Sequence, residues 1–214
     1  PHSRVFLAPG VQVQSFAAFS DLFRYELLVK RGGWWFDMDF VCLRHDPPPT
    51  RLRFASTWEG EYGQCANGCA MWSLPNDPHM TALRDRCEER LNAGENSFGS
   101  VGPFLIQAYV EENGLQQSVS PFWEFCPYPW RLVHRLALRG PIQYAKDLLR
   151  GCKHRAWEAV DPRFKAGYIR PLSRAIHLHN EIWKSSDLDK DFRYFPWCKL
   201  ERLKAQHLSI SSQQ

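Results

Sequence analysis

The segment Ser20 to Cys42, SDLFRYELLVKRGGWWFDMDFVC, constrains this chain more than any other part of it. From Phe16 to Leu28 the apolar residues Phe16, Phe19, Leu22, Phe23, Leu27 and Leu28 recur at helical rather than alternating spacing. A helix is therefore predicted, capped by Ser15 or Ser20 and stopped by Gly32-Gly33. Asp21 and Arg24 lie three residues apart in it, so their side chains leave the same face. They could meet one ligand, or simply form a solvent-exposed ion pair, which is common and weak. Next comes Trp34 through Leu43, aromatic and β-branched, whose two charges are Asp37 and Asp39. On a continuous strand residues two apart share a face, so the expectation is two carboxylates presented together. Carboxylates held in apolar surroundings need neutralising, and a divalent cation does that most directly.

An isolated D-x-D is weak evidence, but the combination is specific. Asp21, Arg24, Tyr25, Leu28, Gly32, Gly33, Asp37 and Asp39, with Trp35 where an aromatic is usual, resemble the sugar-binding region of the DXD glycosyltransferase family. That group includes initiating mannosyltransferases, alpha-1,4-galactosyltransferases and the glucosylating domains of large bacterial toxins. Weaker echoes follow in order at Asn67 to Met71, at Pro78-His79, at Ser100 to Pro103, at Pro127-Tyr128-Pro129 and at Ala175 to Trp183. In the last of these His179 stands where the family has Trp.

The resemblance implies an α/β fold of the GT-A type, a Rossmann-like mixed sheet flanked by helices, formed by residues 1–214 as a single catalytic domain. Family members usually begin with a strand and turn that build part of the nucleotide site. Here Pro1 leads almost at once into the predicted helix, so the expectation is an N-terminally incomplete domain. Residues 208–214, ending Ser-Ser-Gln-Gln, are expected to be a disordered tail.

The activity implied is transfer of a sugar from a UDP- or GDP-sugar donor to a glycan, lipid or protein acceptor, with retention of configuration. By resemblance Asp39 ligates Mn²⁺ or Mg²⁺ directly, Asp37 touches the ribose and the metal shell, and His177 completes the ligand set. Hard oxygen ligands suit those two ions. Asp21, Arg24, Tyr25, Gly102 and Asn180 are expected on the donor, and Trp58, Glu59, Glu61, Gln64 and Asn67 on the acceptor side. His177 and His179 alternate, so on an extended segment they would face opposite ways and could not both reach one ion. Two rivals stand beside this reading: a sugar-nucleotide-binding module without catalysis, and a metal-dependent nucleotidyltransferase.

The remaining sequence predicts strands at Leu52–Trp58 and Cys69–Leu74, turns at Asp46–Thr50, Glu59–Gly63 and Pro75–Pro78, and helices at Met80–Leu91, Phe104–Val110, Leu138–Leu149 and Leu172–Trp183. With 44% hydrophobic residues, a chain of 214 can bury a sizeable core. Seven cysteines without a C-x-x-C pair fit reduced thiols in a cytoplasmic setting better than a disulfide framework or a structural zinc site. No apolar run approaches the roughly 20 residues of a membrane span. Basic residues exceed acidic ones by only 27 to 23, with no nucleic-acid motif. Their densest stretch, Arg131 to His154, reads as a solvated helix face or a surface for acidic lipid or phosphate, leaving peripheral membrane association open.

Overall fold

A computed structural model describes residues 17–44, 49–95, 97, 99–157, 166–185 and 188–208. Ser15, Phe16, most of the Asp46–Thr50 turn and residues 209–214 of the expected tail lie outside these. The chain divides into two compact units, the first drawn from Pro1–Asp37, Asp46–Thr57 and Gln64–Phe122, the second from Met38–His45, Trp58–Gly63 and Trp123–Gln214. The architecture is mixed α/β.

The first unit opens with α1, Ala17–Arg31. Ser20 falls inside it and is not its cap. Gly32, at φ +62, donates its amide to the Leu28 carbonyl at 2.8 Å and turns the chain out of the helix. A side chain at Gly32 would strike Pro75 at 2.6 Å. The face that α1 buries is not its aromatic stripe: Phe19, Phe23 and Leu27 stay exposed, while Asp21, Arg24, Tyr25, Leu28 and Val29 are enclosed. A solvated Asp21–Arg24 pair is thereby ruled out.

Strand β1, Gly33–Phe36, pairs antiparallel with β4, Gln64–Ser73, in the register Gly33↔Ser73 to Phe36↔Ala70, and β3, Arg53–Trp58, lies on the other side of β4. As the middle strand, β4 is buried without a break from Gly68 to Ser73, the pattern of a strand covered on both faces. The expected strand at Cys69 thus begins five residues earlier. Trp34 stacks on Phe36 at 5.1 Å and on its cross-strand partner Trp72 at 6.2 Å, one face of the pleat. Helix α2, Pro78–Asn92, carries the expected stripe of Met80, Leu83, Cys87 and Leu91, all buried, and Asp77 caps it through the amides of His79 and Met80. Helix α3, Pro103–Glu112, begins at Pro103 as the Gly-Pro step predicts. Tyr25, Leu28, Phe54, Met71, Met80, Leu83, Leu105 and Ile106 make the shared core.

The ten-residue strand expected from Trp34 to Leu43 does not exist as one element. The chain leaves β1 after Phe36, turns through Asp37–Asp39, and resumes as β2, Phe40–Cys42, which pairs antiparallel with β5, Ala175–His177, in the second unit. Because β1 and β2 add to different sheets, the chain must reorient between them, and the two acids occupy the reorienting turn. Met38, between them, is fully exposed.

The second unit also contains α4 at Phe122–Phe125, a 3-10 segment at Trp130–Leu136, α5 at Pro141–Trp157, α6 at Asn180–Ser185 and α7 at Lys199–Leu208. The helix expected over Leu172–Trp183 is replaced by β5 and α6. Ala175 and Ile176 are used by the β2 ladder, and His179, at φ +54, breaks the chain before α6. Helix α5 starts three residues later than predicted, with Pro141 in its first position, and Leu138 packs in the core instead. That core gathers Tyr128, Val133, Leu136, Ile176, Trp183, Cys198 and Leu203. Asp147 is buried inside it and bonded by Arg135 at 2.6 Å and Lys199 at 2.9 Å. No helix is long and apolar enough to cross a membrane among the described residues.

Candidate functional site

In the first unit the polar centre is Arg24. Its guanidinium lies 3.0 Å from Asp21 and 3.5 Å from Asp37, donates to the Gly68 carbonyl at 2.7 Å, and sits over the Trp35 ring at 5.4 Å. Asp21 and Arg24 are each 8% exposed. Two carboxylates and one guanidinium are thus held together with little water to separate their charges. Burial pushes the Asp21 carboxyl up, Arg24 opposing and Asp37 adding to the rise. Burial alone would lower Arg24, but Asp21 and Asp37 more than reverse it and hold the guanidinium charged. Arg24 Nε is buried without a hydrogen-bond partner among the described residues, so this cation keeps an unused donor.

The frame around the triad is tight. Trp35 Nε1 donates to Asp37 Oδ1 at 2.9 Å, and the Asp37 amide donates to the Cys69 carbonyl at 2.9 Å, which together set the carboxylate at the end of β1. A Cβ at Gly68 would come within 2.6 Å of the Arg24 guanidinium, and one at Gly102 within 2.6 Å of Asp21 Oδ2. Both glycines are places where backbone must approach the ion pair closely. Tyr25 is fully enclosed, and its hydroxyl donates to the Val101 carbonyl at 3.1 Å, which holds the loop that leads into Gly102.

In the second unit the centre is Asp39. Its Oδ1 accepts from His177 Nε2 at 3.1 Å and its Oδ2 accepts from the Asn180 amide at 2.7 Å. The pairing Phe40↔His177 puts the imidazole beside the residue after Asp39, and the Leu178 amide donates to the Asp39 carbonyl at 2.8 Å. Burial works to raise the Asp39 carboxyl, but the His177 hydrogen bond and charge and the Asn180 amide outweigh it and hold it below the usual carboxylate range. Asp39 is ionised at neutral pH.

His179 corrects the alternation expected of the two histidines. Its positive φ brings its ring to 4.1 Å from that of His177, centre to centre, and its Nε2–H donates to the Tyr128 carbonyl at 3.1 Å. Burial, with His177 beside it, pushes the ring down to about 3, so it is neutral across the physiological range. Asn180 contributes its backbone amide to Asp39, while its side-chain oxygen accepts from Lys190.

The expected acceptor residues lie on β3, on the turn that follows it and on β4. Glu59 accepts weakly from Trp130 Nε1 at 3.4 Å, and Glu61 is exposed on the 3-10 turn Gly60–Tyr62 that follows Trp58 at the end of β3. Gln64 accepts from the Phe122 amide at 3.2 Å, and Asn67 from the Cys69 amide at 3.2 Å. Trp35 and Gly68, which complete the Arg24 centre, were not among the expected site residues. Trp35 sits two residues before Asp37 with an indole N–H to donate, a visible signal, whereas nothing in the sequence marks the Gly68 carbonyl.

The donor set suits a hard divalent cation. Asp39 and His177 offer a carboxylate oxygen and an imidazole nitrogen 3.1 Å apart. Asp37 is separated from Asp39 by a single residue, so their Cα atoms stay within about 7 Å whatever the turn does. No curated protein matches the chain at a significant level. The family model described as "Glycosyltransferase sugar-binding region containing DXD motif" matches residues 6–53, under a quarter of the chain and the stretch that contains α1, β1 and β2. Residues 6–53 are therefore similar to the sugar-binding region of the DXD glycosyltransferase family, the family that the motif residues resemble.

Proposed function

We propose that the protein is a metal-dependent glycosyltransferase of the GT-A type that takes a sugar from a UDP- or GDP-sugar and passes it to a glycan, lipid or protein acceptor with retention of configuration. The observation that carries this reading is the buried Asp21–Arg24 pair with Asp37 on the same guanidinium, inside the stretch that the DXD sugar-binding model matches. A structural ion pair needs no third charge. Here the second carboxylate on the same guanidinium is the first acid of the DXD motif itself.

Asp37, Asp39 and His177 would hold Mn²⁺ or Mg²⁺. When bound, such an ion offsets the negative charge that develops on the departing nucleoside diphosphate. The chain's own residues set that site in order. The Asn180 amide keeps Asp39 aimed, and the His177 nitrogen that bonds its other oxygen in the metal-free site would give its lone pair to the ion instead. Trp35 fixes the rotamer of Asp37. Arg24, kept charged by two carboxylates, would hold hydroxyl or phosphate oxygens of the donor. Asp21 accepts from donor-sugar hydroxyls, and Gly102 lets the backbone come close to it. Retention follows if the acceptor attacks the face the diphosphate leaves, with the leaving phosphate taking the acceptor proton, and no separate base is assigned.

The test is release of nucleoside diphosphate from a panel of UDP- and GDP-sugars, with Mn²⁺, with Mg²⁺ and with chelator. Metal-dependent release from at least one sugar supports the reading. Metal-dependent donor binding without release in the full-length protein points to a binding module, and preference for nucleoside triphosphates points to a nucleotidyltransferase.

A further inference from the structure

We infer that α5 is a docking surface for an anionic lipid bilayer. Within its own unit this 17-residue helix buries a single residue, Asp147. Ile142, Ala145, Leu149, Cys152 and Ala156 recur at intervals of three and four along it, and all are exposed. Ile142 is 71% exposed and Leu149 70%, with Leu148 at 58% beside them and Trp157 at 52% at the helix end. A line of this length left to water contrasts with α2, whose apolar stripe is enclosed.

Charge decides what covers it. Lys146, Arg150 and Lys153 run one position ahead of the apolar line, so they flank it along one side. The only acidic side chain in Pro141–Trp157 is Asp147, turned inward and neutralised by Arg135 and Lys199. Lys146 and Arg150 have no acidic partner among the described residues. Both line a cleft of about 310 Å³ together with Arg135, Arg139 and Asp147, the acid already paired with Arg135 and Lys199. An apolar stripe beside a purely cationic flank, with an aromatic residue at its end, is the composition of a helix that lies in a bilayer interface and meets anionic headgroups. A protein partner would have to combine an apolar ridge with a row of acids, whereas an anionic leaflet presents both at once.

Vesicle flotation of the whole protein tests this. Binding is expected to phosphatidylcholine–phosphatidylserine vesicles, to weaken in high salt, and to be absent with phosphatidylcholine alone. The Lys146→Gln, Arg150→Gln double variant is expected to lose roughly thirtyfold in affinity, about fivefold for each charge removed. Leu149→Asp is expected to abolish flotation with an unchanged unfolding midpoint, and the charge variant keeps the test decisive if Leu149→Asp does not fold. Equal binding to neutral vesicles, or binding unaffected by the charge variant, overturns the inference. So does lipid-free dimerisation that Leu149→Asp removes, which would assign the stripe to a second copy. Binding of inorganic phosphate without any vesicle binding would reduce the surface to a free-anion site. None of these residues belongs to the Asp37–Asp39 region, so failure here leaves the glycosyltransferase reading standing.

Discussion

Replacing Arg24 with Met should uncouple the first centre and reveal how much it stabilises the fold. Met keeps most of the aliphatic volume over Trp35, so the change removes mainly charge and hydrogen bonds. Arg24 faces Asp21 at 3.0 Å and Asp37 at 3.5 Å, and each contact is worth on the order of 4 kcal/mol at an effective dielectric of about 20 before desolvation is set against it. Removing one partner of a buried pair leaves the other charge uncompensated, at a net cost of about 3–5 kcal/mol. Asp21 supplies a sign check. Its folded pKa is already raised by burial and rises further without Arg24, so the variant gains stability relative to wild type as pH falls through that raised value and the carboxyl protonates. Urea unfolding followed by tryptophan fluorescence at pH 7 and at pH 5 reads both effects. The expected result is a large loss at pH 7 that shrinks at pH 5, with most of it recovered in the Arg24→Met, Asp21→Asn double variant. A loss below about 1 kcal/mol that does not change with pH would refute the reasoning, because that is how a solvated pair behaves.

Asp39→Asn should abolish metal-dependent nucleotide release while circular dichroism stays close to wild type, with a lowered unfolding midpoint because the carboxylate held by His177 and the Asn180 amide is lost. His177→Gln should weaken Mn²⁺ affinity in a metal titration by at least tenfold, on the scale of losing an orienting partner at a metal site. In chelator, wild type should lose stability as pH falls below the ordinary carboxylate range toward the depressed value of Asp39, since that group contributes only while ionised; His177→Gln should show a flatter acid limb in the same titration. Gly102→Ala should displace the Asp21 carboxylate, weaken donor binding in calorimetry, and cost about 1–3 kcal/mol of stability from overpacking.

What the sequence made legible follows from which forces act locally. The α2 stripe, the Gly32 stop and the Gly102-Pro103 start of α3 rest on periodicity and backbone chemistry within a few residues, and the structure realises each of them. The split of Trp34–Leu43 into β1 and β2 could not be read, because it depends on partners 36 and 137 residues away, such as Trp35↔Met71 and Phe40↔His177. The same long-range pairing turned Ala175–His177 from expected helix into β5. On α1 the aromatic spacing pointed to one face, but the Gly68 and Asp37 contacts drew the Arg24 face inward. Asp21, Arg24 and Asp37 were legible as a group only through the motif, and the burial of Asp21 and Arg24 only through the fold.

The central claim is that the acids of the Asp37–Asp39 turn bind an activated sugar through a divalent cation. Isothermal titration of UDP- and GDP-sugars into wild type and Asp39→Asn, each with Mn²⁺ and with chelator, tests it most directly. Donor binding to wild type that requires Mn²⁺ and disappears in Asp39→Asn is the predicted result; binding that persists equally in chelator, or in the variant, contradicts it.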